Sequence, residues 1–226
     1  MTPAAQIAMR TLVDSPADEF AVGSWNLSWG KRGFDLCCGT CLLLACIPVL
    51  LVVSILVKIS SRGPALFRQK RVGQDGIEFE LLKFRTMTHT DASAGPGVTR
   101  GGDARVTVFG RQLRKWKIDE LPQLINVVRG EMSLVGPRPD LARYISALDA
   151  GLRRILCLKP GVTGMASLTF RNEETLLASV PAEQLESYYV KELLPQKVRL
   201  DLEYARSSTF FSDLGLLFRT VASISR

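Results

Sequence analysis

The stretch that organises this chain is residues 115–124, Lys-Trp-Lys-Ile-Asp-Glu-Leu-Pro-Gln-Leu, followed at residues 130–139 by Gly-Glu-Met-Ser-Leu-Val-Gly-Pro-Arg-Pro. Apolar residues recur at spacings of three and four over residues 113–128, which predicts an amphipathic helix of about five turns. Pro122 lies inside this helix and removes a backbone donor, so we expect a kink or a fresh helix start there. Polar groups of the chain would then be open beside the acidic pair.

Asp119 and Glu120 form this acidic pair, and they follow a run of basic residues. An acidic pair on a basic helix is commonly a solvated face of ion pairs, which is one interpretation of this stretch. Neighbours on a helix point roughly 100° apart, so the two carboxylates cannot face each other as a symmetric dyad. We therefore expect one to point inward and the other to play a different role.

The size and charge of the chain limit what it can be. Its 226 residues allow one domain with a sizeable core, or a small domain plus a membrane element. Lys and Arg total 29 against 22 Asp and Glu, for a net charge of +7. This balance favours anionic partners, and nucleic acid, anionic lipid and phosphorylated substrates all qualify.

Residues 36–57 contain no charged side chain and predict a membrane segment of about 33 Å as a straight helix. Pro48 lies near the middle and would leave two arms that each reach about half the depth of a bilayer core. Basic residues flank both ends, so the positive-inside bias does not choose between them. These grounds leave open a kinked span and a helix that enters, breaks and returns to the same face.

Residues 1–30 lack sustained periodicity and the basic-then-apolar pattern of a signal peptide, which predicts a loose tail. Trp25 and Trp29 precede the basic pair Lys31 and Arg32, an order typical of a membrane interface, with ordinary packing as the alternative. Four of the five cysteines lie in the apolar run. The odd total of five cysteines argues against a disulfide framework, and metal-ligand spacing is absent, so we interpret all five as structural thiols.

Residues 65–87 predict a β-hairpin, because two short runs flank the turn sequence Gln-Asp-Gly at 74–76. The hairpin is basic and follows the membrane segment, where it could meet a specific lipid phosphate or anionic headgroups in general. Residues 88–107 are rich in Gly, Ser, Thr and Asp and predict a long loop, for which we hypothesise the role of a lid.

Two further motifs indicate anion recognition. Arg138 stands between Pro137 and Pro139, which fix the backbone and hold a guanidinium ready for a phosphate or a base. A rigid turn whose arginine caps a neighbouring element is the alternative. Residues 159–164, Lys-Pro-Gly-Val-Thr-Gly, predict a tight turn able to present backbone donors to an anion.

Three motifs together resemble those of the bacterial sugar transferase family, the monotopic phosphoglycosyl transferases. They are Asp-Glu-Leu-Pro-Gln-Leu-Ile-Asn-Val at 119–127, the block at 130–139 and the motif at 159–164. The resemblance implies an α+β fold, mostly helical with a small β-hairpin, plus an N-terminal re-entrant helix-break-helix membrane hairpin. It divides the chain into an N-terminal tail at 1–30, the membrane hairpin at 31–60 and a catalytic domain at 61–226.

The function implied by this resemblance is transfer of a phospho-sugar from a UDP-sugar to polyprenol (undecaprenyl) phosphate, releasing UMP and initiating glycoconjugate assembly. Asp119 would be the nucleophile that forms a covalent aspartyl phospho-sugar, with Glu120 as the second catalytic residue and Mg²⁺ bound at both. The implied location is the cytoplasmic face of the bacterial inner membrane. The implied partners are UDP-sugar, polyprenol phosphate and membrane lipid, with a second copy of the chain as a further candidate and no nucleic acid.

The same resemblance indicates substrate-binding residues, namely Lys83, Arg85, Arg114, Pro137, Arg138, Pro139 and Arg171. Lys31 and Arg32 are candidate contacts to the lipid phosphate. At 165–171 the chain reads Met-Ala-Ser-Leu-Thr-Phe-Arg, whereas many family members have a Trp-Ala-Gln-Val-Asn-Gly-Arg-like sequence, so the sugar is not implied. Two alternatives are a membrane-anchored transferase of another phosphorylated head group and a non-enzymatic basic module that binds anionic lipid or nucleic acid.

Overall fold

The structure is a computed structural model that describes residues 22–88, 97–99 and 101–224. Most of the predicted tail, residues 1–21, and part of the predicted lid, residues 89–96 and 100, lie outside the described residues. The helices are α1 Trp29–Ser60, α2 Val108–Lys115, α3 Gln123–Arg129, α4 Ala142–Ser146, α5 Met165–Thr169, α6 Glu173–Ala178, α7 Leu185–Tyr188, α8 Leu194–Ser207 and α9 Phe210–Ile224. The strands are β1 Leu66–Val72, β2 Glu78–Phe84, β3 Ser133–Val135 and β4 Gly161–Thr163. The fold is mostly helical, as expected.

Helix α1 is a single element of 32 residues, and Ser28 caps it by accepting a hydrogen bond from the backbone N–H of Lys31. It is long and apolar enough to cross a membrane. The helix continues through Pro48, so the expected break between two arms is not confirmed. A proline inside a helix removes one backbone hydrogen bond, and a helix can continue through this position when the residues before and after it pack against the rest of the protein.

The first half of α1 is fastened to the rest of the protein by polar contacts. The Arg32 guanidinium donates to the backbone carbonyls of Val127 and Val128 at 2.9 and 3.2 Å, at the end of α3. The backbone N–H of Leu134 donates to Asp35 Oδ1 at 3.0 Å.

The second half of α1 packs against the same body. Val53 and Val57 are buried in a cluster with Phe84 of β2 and Leu113 of α2. The buried Arg85 donates from Nη2 to the carbonyl of Ser61 at 2.7 Å, just beyond the helix end. Both ends of α1 are therefore attached to one folded body.

The segment before α1 is docked rather than loose where it is described. Trp25 Nε1 donates to Asp213 Oδ2 at 2.8 Å, and its ring lies edge-on to Phe210 at 5.8 Å. Trp25 thus follows the ordinary-packing alternative. Trp29 is 91% exposed, which fits the alternative of a membrane interface.

Strands β1 and β2 form the predicted antiparallel hairpin, with a 3₁₀ turn at Gln74–Gly76. Asp75 adopts a left-handed conformation in this turn, with φ of 57°. The hairpin continues through Arg85 N, which donates to the carbonyl of Ala65 at 2.9 Å. At the end of β2, the side chain of Lys83 lies close to the acidic pair. The side chain of Arg85, just after the strand, lies close to the end of α1.

A second, parallel sheet of β3 and β4 was not predicted, and the tight turn expected at 159–164 is wrong because β4 occupies its centre. The two strands approach through glycines. A Cβ at Gly161 would lie 2.1 Å from the backbone nitrogen of Gly136, and one at Gly136 would lie 2.4 Å from the Lys159 carbonyl oxygen. Only glycine fits there, and this contact fixes the chain that carries Arg138.

The predicted five-turn helix at 113–128 is instead α2, a 3₁₀ turn at Ile118–Glu120 and α3. Lys117 has a left-handed conformation with φ of 54°, which reverses the chain after α2. Pro122 directly precedes α3, so the expectation of a fresh helix start is confirmed. The acidic pair therefore lies on a short turn between two helices.

Candidate active site

Asp119 is only 7% exposed. Its Oδ1 atom is buried and accepts no hydrogen bond from the residues that the structure describes. Burial, with the neighbouring charge of Glu120, raises the pKa of Asp119 above its ordinary value. A buried carboxylate oxygen without a partner is costly to keep, and such groups are concentrated at functional sites.

Glu120 differs from Asp119 because its carboxylate is paired with two cationic side chains. Arg138 Nη2 donates to Glu120 Oε1 at 2.8 Å, and Lys83 Nζ lies 3.8 Å from the same oxygen. Burial alone would raise the pKa of Glu120, but the charges of Arg138 and Lys83 outweigh it and hold this pKa below its usual range. The two carboxylates thus have different surroundings, although they lie on a 3₁₀ turn and not on the predicted helix, and their different roles stay a prediction.

The pKa values of Lys83 and Arg138, the two cations beside Glu120, are shifted in opposite directions. Burial, with the charge of Arg138, lowers the pKa of Lys83 to about 8. The carboxylate of Glu120 raises the pKa of Arg138 above its ordinary value. Arg138 is therefore permanently charged and fixed in position, while Lys83 is the cation whose charge depends on its surroundings.

The acidic pair opens into a cavity of about 740 Å³. Among the described residues that line it, eleven are basic and five are acidic, so the cavity favours an anionic ligand. Seven of the predicted site residues line this cavity, namely Lys83, Arg85, Arg114, Asp119, Glu120, Arg138 and Arg171.

Arg114 and Arg85 are both engaged by the protein. Arg114 donates from Nε to Thr86 Oγ1 at 3.0 Å and from Nη1 to Glu174 Oε1 at 2.9 Å. The guanidinium of Arg85 donates to backbone carbonyls beyond the end of α1, including those of Ser61 and Pro64. The role of each in substrate binding stays a prediction.

The remaining predicted residues are not among those that line the cavity. The carbonyl of Pro137 accepts from Gly161 N at 2.8 Å, and that of Pro139 accepts from Arg71 Nη1 at 3.3 Å, so the two prolines hold Arg138 through their backbone. Lys31 is buried and forms an ion pair with Asp213. Arg32 is occupied at the end of α3. Contact of Lys31 and Arg32 with a lipid phosphate stays a prediction without support from their placement.

Sequence reasoning missed a buried polar network on another wall of the cavity. Lys197 Nζ donates to Glu173 Oε2 at 2.7 Å, and the Tyr189 hydroxyl donates to Asp140 Oδ1 at 3.0 Å. Asp140 also lies 3.5 Å from Arg71 Nη1. Asp140 directly follows the Pro-Arg-Pro block, and that adjacency was the only signal available in the sequence.

Sequence reasoning also missed Asp201 of α8, whose carboxylate accepts hydrogen bonds from the backbone of two segments near the cavity. Its Oδ1 accepts from Ala166 N at 2.9 Å, and the backbone N–H of Arg138 is a second donor. Burial raises the pKa of Asp201 to about 7. One carboxylate thereby ties the chain at Arg138 to the start of α5.

The donor set can be tested for Mg²⁺. Among the described residues there is no group of three or more His, Cys, Asp or Glu side chains that could form a protein-only metal site. Mg²⁺ commonly needs only one or two carboxylates and takes its other ligands from water and substrate phosphates. The unpartnered Oδ1 of Asp119 fits this mode, whereas Glu120 already commits Oε1 to Arg138.

Comparison with known proteins places this geometry in context. The chain is 36% identical over 197 residues to a UDP-glucose:undecaprenyl-phosphate glucose-1-phosphate transferase of Caulobacter vibrioides, a match that covers 86% of this chain and 69% of the relative. It is 38% identical over 199 residues to an undecaprenyl-phosphate glucose phosphotransferase of Komagataeibacter xylinus, covering 84% of this chain but 35% of that protein. It is 33% identical over 209 residues to the exopolysaccharide production protein ExoY of Rhizobium meliloti, covering 86% of this chain and 84% of that protein.

The family model described as bacterial sugar transferase matches residues 26–226. This range includes α1, the acidic pair, the residues that line the cavity, and Gly136 and Gly161, which lie in close contact at β3 and β4. With nearly the whole chain matched, this protein belongs to the bacterial sugar transferase family.

Proposed function

We propose that this protein transfers a phospho-sugar from a UDP-sugar to undecaprenyl phosphate, releases UMP and so begins the assembly of an exopolysaccharide or related glycoconjugate. The names of the Caulobacter and Komagataeibacter relatives support the reaction and its lipid acceptor. The name of the Rhizobium relative supports the link to exopolysaccharide.

The observation that carries the proposal is the contrast within the acidic pair. Asp119 Oδ1 is buried in a cationic cavity without a partner, while Glu120 is neutralised by Arg138 and Lys83. A desolvated carboxylate is a stronger nucleophile than a hydrated one, and nearby cations reduce its repulsion from a diphosphate. Asp119 is therefore our candidate nucleophile.

In the first step, a carboxylate oxygen of Asp119 attacks the sugar-side phosphorus of the UDP-sugar. The bond between that phosphorus and the bridging oxygen breaks, and UMP leaves with the electron pair. The product on the protein is an acyl phosphate that carries the sugar. In the second step, a phosphate oxygen of undecaprenyl phosphate attacks the same phosphorus, and Asp119 leaves as a carboxylate. Neither step needs a net proton transfer.

The cations of the cavity have separate tasks in this scheme. Arg138 and Lys83 hold Glu120 and present positive charge beside Asp119, where the transferred phosphate acquires negative charge. Asp119 would hold Mg²⁺, with the second carboxylate oxygen of Glu120, Oε2, as a further ligand, and the ion when bound would supply positive charge to the phosphates. Arg114 and Arg171, which line the same cavity, are candidates for binding the donor.

We further propose that α1 enters and leaves the membrane on one face, with the catalytic domain at 61–226 on the cytoplasmic side of the inner membrane. The attachment of both helix ends to one body supports this arrangement, because a straight span would put those ends on opposite sides of a hydrocarbon core of about 30 Å. The net positive charge fits the cytoplasmic side.

The proposal is tested with purified protein in detergent, Mg²⁺ and a panel of UDP-sugars, without lipid acceptor. Intact mass spectrometry should detect a phospho-sugar adduct on the wild type and none on Asp119→Asn. Adding undecaprenyl phosphate should then remove the adduct and yield the lipid-linked diphosphate sugar.

Two other results would change the conclusion. UMP release that occurs only after lipid is added, with no adduct at any time, would replace the two-step scheme by direct transfer. Absence of UMP with every sugar, with and without lipid, would overturn the proposed reaction and favour transfer of another head group.

A further inference from the structure

The cavity that contains Asp119 is lined by two chemically different sets of side chains. One set is charged and includes Asp119 and Lys197, and the other consists of apolar side chains of two helices. These side chains are Leu42 and Cys46 of α1 and Leu217, Val221 and Ile224 of α9. A single ligand or pair of ligands filling this cavity must therefore combine anionic and hydrocarbon parts.

The inner surface between these two helices is also apolar. Leu124 of α3 and Leu134 of β3 line the cavity and are buried, at 5% and 2% exposure. Leu124 lies little more than one helical turn after Asp119 in the chain. Leu124 and Leu134 belong to one apolar cluster, against which Cys46 of α1 and Leu217 of α9 also pack.

Some apolar side chains of the cavity lining are also exposed at the surface of both helices. Leu42 of α1 is 46% exposed and Val221 of α9 is 68% exposed, although both line the cavity. Neighbouring side chains on the outside are exposed as well, including Leu44 at 60% and Phe218 at 68%. Leu42 and Val221 thus belong both to the cavity lining and to the exposed surface that we propose contacts lipid, so a hydrocarbon chain could pass from one to the other. Thr220 and Ser223 of α9 also line the cavity.

Helix α9 is fixed in this position by specific contacts. Thr220 Oγ1 lies 2.8 Å from Thr163 Oγ1 of β4, and Leu216 is 3% exposed in the cluster that contains Leu134. Phe210 packs edge-on against Phe34 of α1 at 5.2 Å. The residues of α1 and α9 that line the cavity are therefore held in place, and the part of the cavity that they line is called the groove below.

We infer that this groove, formed by Leu42, Cys46, Leu217, Val221 and Ile224, binds the first isoprene units of the polyprenyl chain of the acceptor. The inference rests on the proposed function. A UDP-sugar has no hydrocarbon part that could use such a groove, whereas the acceptor is a long hydrocarbon with a phosphate at one end. With its chain in the groove, the acceptor would place its phosphate in the same cavity as Asp119, where Lys117 is among the cationic residues of the lining.

The chain offers a matched pair of variants for the test. Val221 and Phe218 belong to the same helix and are equally exposed at 68%, but only Val221 is among the residues that line the cavity. Val221→Asp places a charge in the groove, and Phe218→Asp places the same charge on the outer surface. Burying an unpaired carboxylate against hydrocarbon is strongly unfavourable, so we expect Val221→Asp to raise the KM for undecaprenyl phosphate by about tenfold or more. Phe218→Asp should change it by less than about threefold in detergent.

The lipid-independent half of the reaction separates this inference from the proposed function. Adduct formation from the UDP-sugar should be equal in wild type, Val221→Asp and Phe218→Asp. The inference that the groove binds the polyprenyl chain would be overturned if the KM for undecaprenyl phosphate rose equally in both variants, or if it did not rise in Val221→Asp. Absence of any adduct or UMP in the wild type would instead count against the proposed function.

A crosslinking experiment tests occupancy without turnover. A benzophenone amino acid placed at position 221 should be photocrosslinked to undecaprenyl phosphate, and one placed at 218 should be crosslinked several-fold less. Farnesyl phosphate in excess should compete at position 221. Crosslinking to phospholipid alone, with no competition by either polyprenyl phosphate, would show that the groove binds bulk lipid and would overturn the inference.

Discussion

Arg138 donates to Glu120 Oε1 at 2.8 Å, and this ion pair leaves the adjacent Asp119 as the carboxylate with a buried oxygen that has no hydrogen-bond partner among the described residues. The pairing divides two neighbouring acids of similar chemistry into a fixed structural charge and a free one.

Asp119→Asn should abolish turnover, with a loss on the order of 10⁴-fold or more, because no carboxylate remains to attack the donor. It should not lower thermal stability, since it removes a buried charge whose Oδ1 has no hydrogen bond. Glu120→Gln should lower both activity and stability, because it leaves the guanidinium of Arg138 without its charged partner. UMP release and melting in detergent measure the two effects. Stability that fell more in Asp119→Asn than in Glu120→Gln would contradict this division of roles.

Asp201 should make the folded state less stable as pH rises. Its pKa is about 7 in the folded protein, against an unfolded value near 3.9, so between these values the folded state holds a proton that the unfolded state has released. Stability therefore falls from about pH 4 to about pH 7, by at most on the order of 4 kcal/mol, and this contribution is constant above.

Asp201→Asn should remove that contribution, because it keeps an acceptor for the Ala166 N–H without a titratable proton. Melting temperatures of wild type and variant, compared from pH 4.5 to pH 8, should show the variant gaining relative stability as pH rises. Lys197 and Asp140 are the charged neighbours of Asp201, and both are unchanged in the variant. Parallel pH curves for the two proteins would contradict the prediction.

Arg85→Met should loosen the junction after α1, because the Arg85 guanidinium donates to the carbonyl and the hydroxyl of Ser61. Loss of several charge-assisted hydrogen bonds predicts a destabilisation of about 2–5 kcal/mol. Limited proteolysis should detect faster cleavage near residues 61–64. Arg85→Lys, which keeps the charge with fewer donors, should be intermediate. A variant that melts like wild type but has a raised KM for UDP-sugar would favour direct substrate binding by Arg85 instead.

Gly161→Ala should disrupt the support of Arg138, since its Cβ would lie 2.1 Å from the backbone nitrogen of Gly136. Moving two packed backbones apart is expected to cost about 1–3 kcal/mol or more and to lower turnover. Gly215→Ala in α9 is the matched control because a Cβ there meets nothing within 4 Å. That substitution should stabilise the helix by about 0.5–1 kcal/mol. Equal melting temperatures for the two variants would refute the close approach as the reason for glycine.

Much of the fold follows from local sequence signals. The hairpin of β1 and β2, the apolar helix α1 and the fresh helix start at Pro122 each depend on residues that are neighbours in the chain. The parallel pair of β3 and β4 could not be predicted in this way. Each strand has only three residues, and their pairing depends on glycines more than twenty positions apart.

The site was predictable to a similar extent. The motifs located Asp119, Glu120, Lys83 and Arg138, which the structure brings together around one carboxylate pair. They gave no warning that Lys31 would be paired internally with Asp213. Lys197 and Asp201 were missed because a lysine and an aspartate four positions apart on a helix usually indicate an ion pair on the protein surface. In the structure both side chains are buried.

The ion pair between Lys31 and Asp213 joins residues 182 positions apart in the chain. Synthesis delivers the apolar helix first and the carboxylate that neutralises Lys31 only with α9, at the far end of the described residues. Until then the ammonium group of Lys31 lacks this partner, and its charge acts on Asp35, which follows one turn later in α1. The contact that holds the start of α1 against α9 can therefore form only after the whole chain between Lys31 and Asp213 has been synthesised.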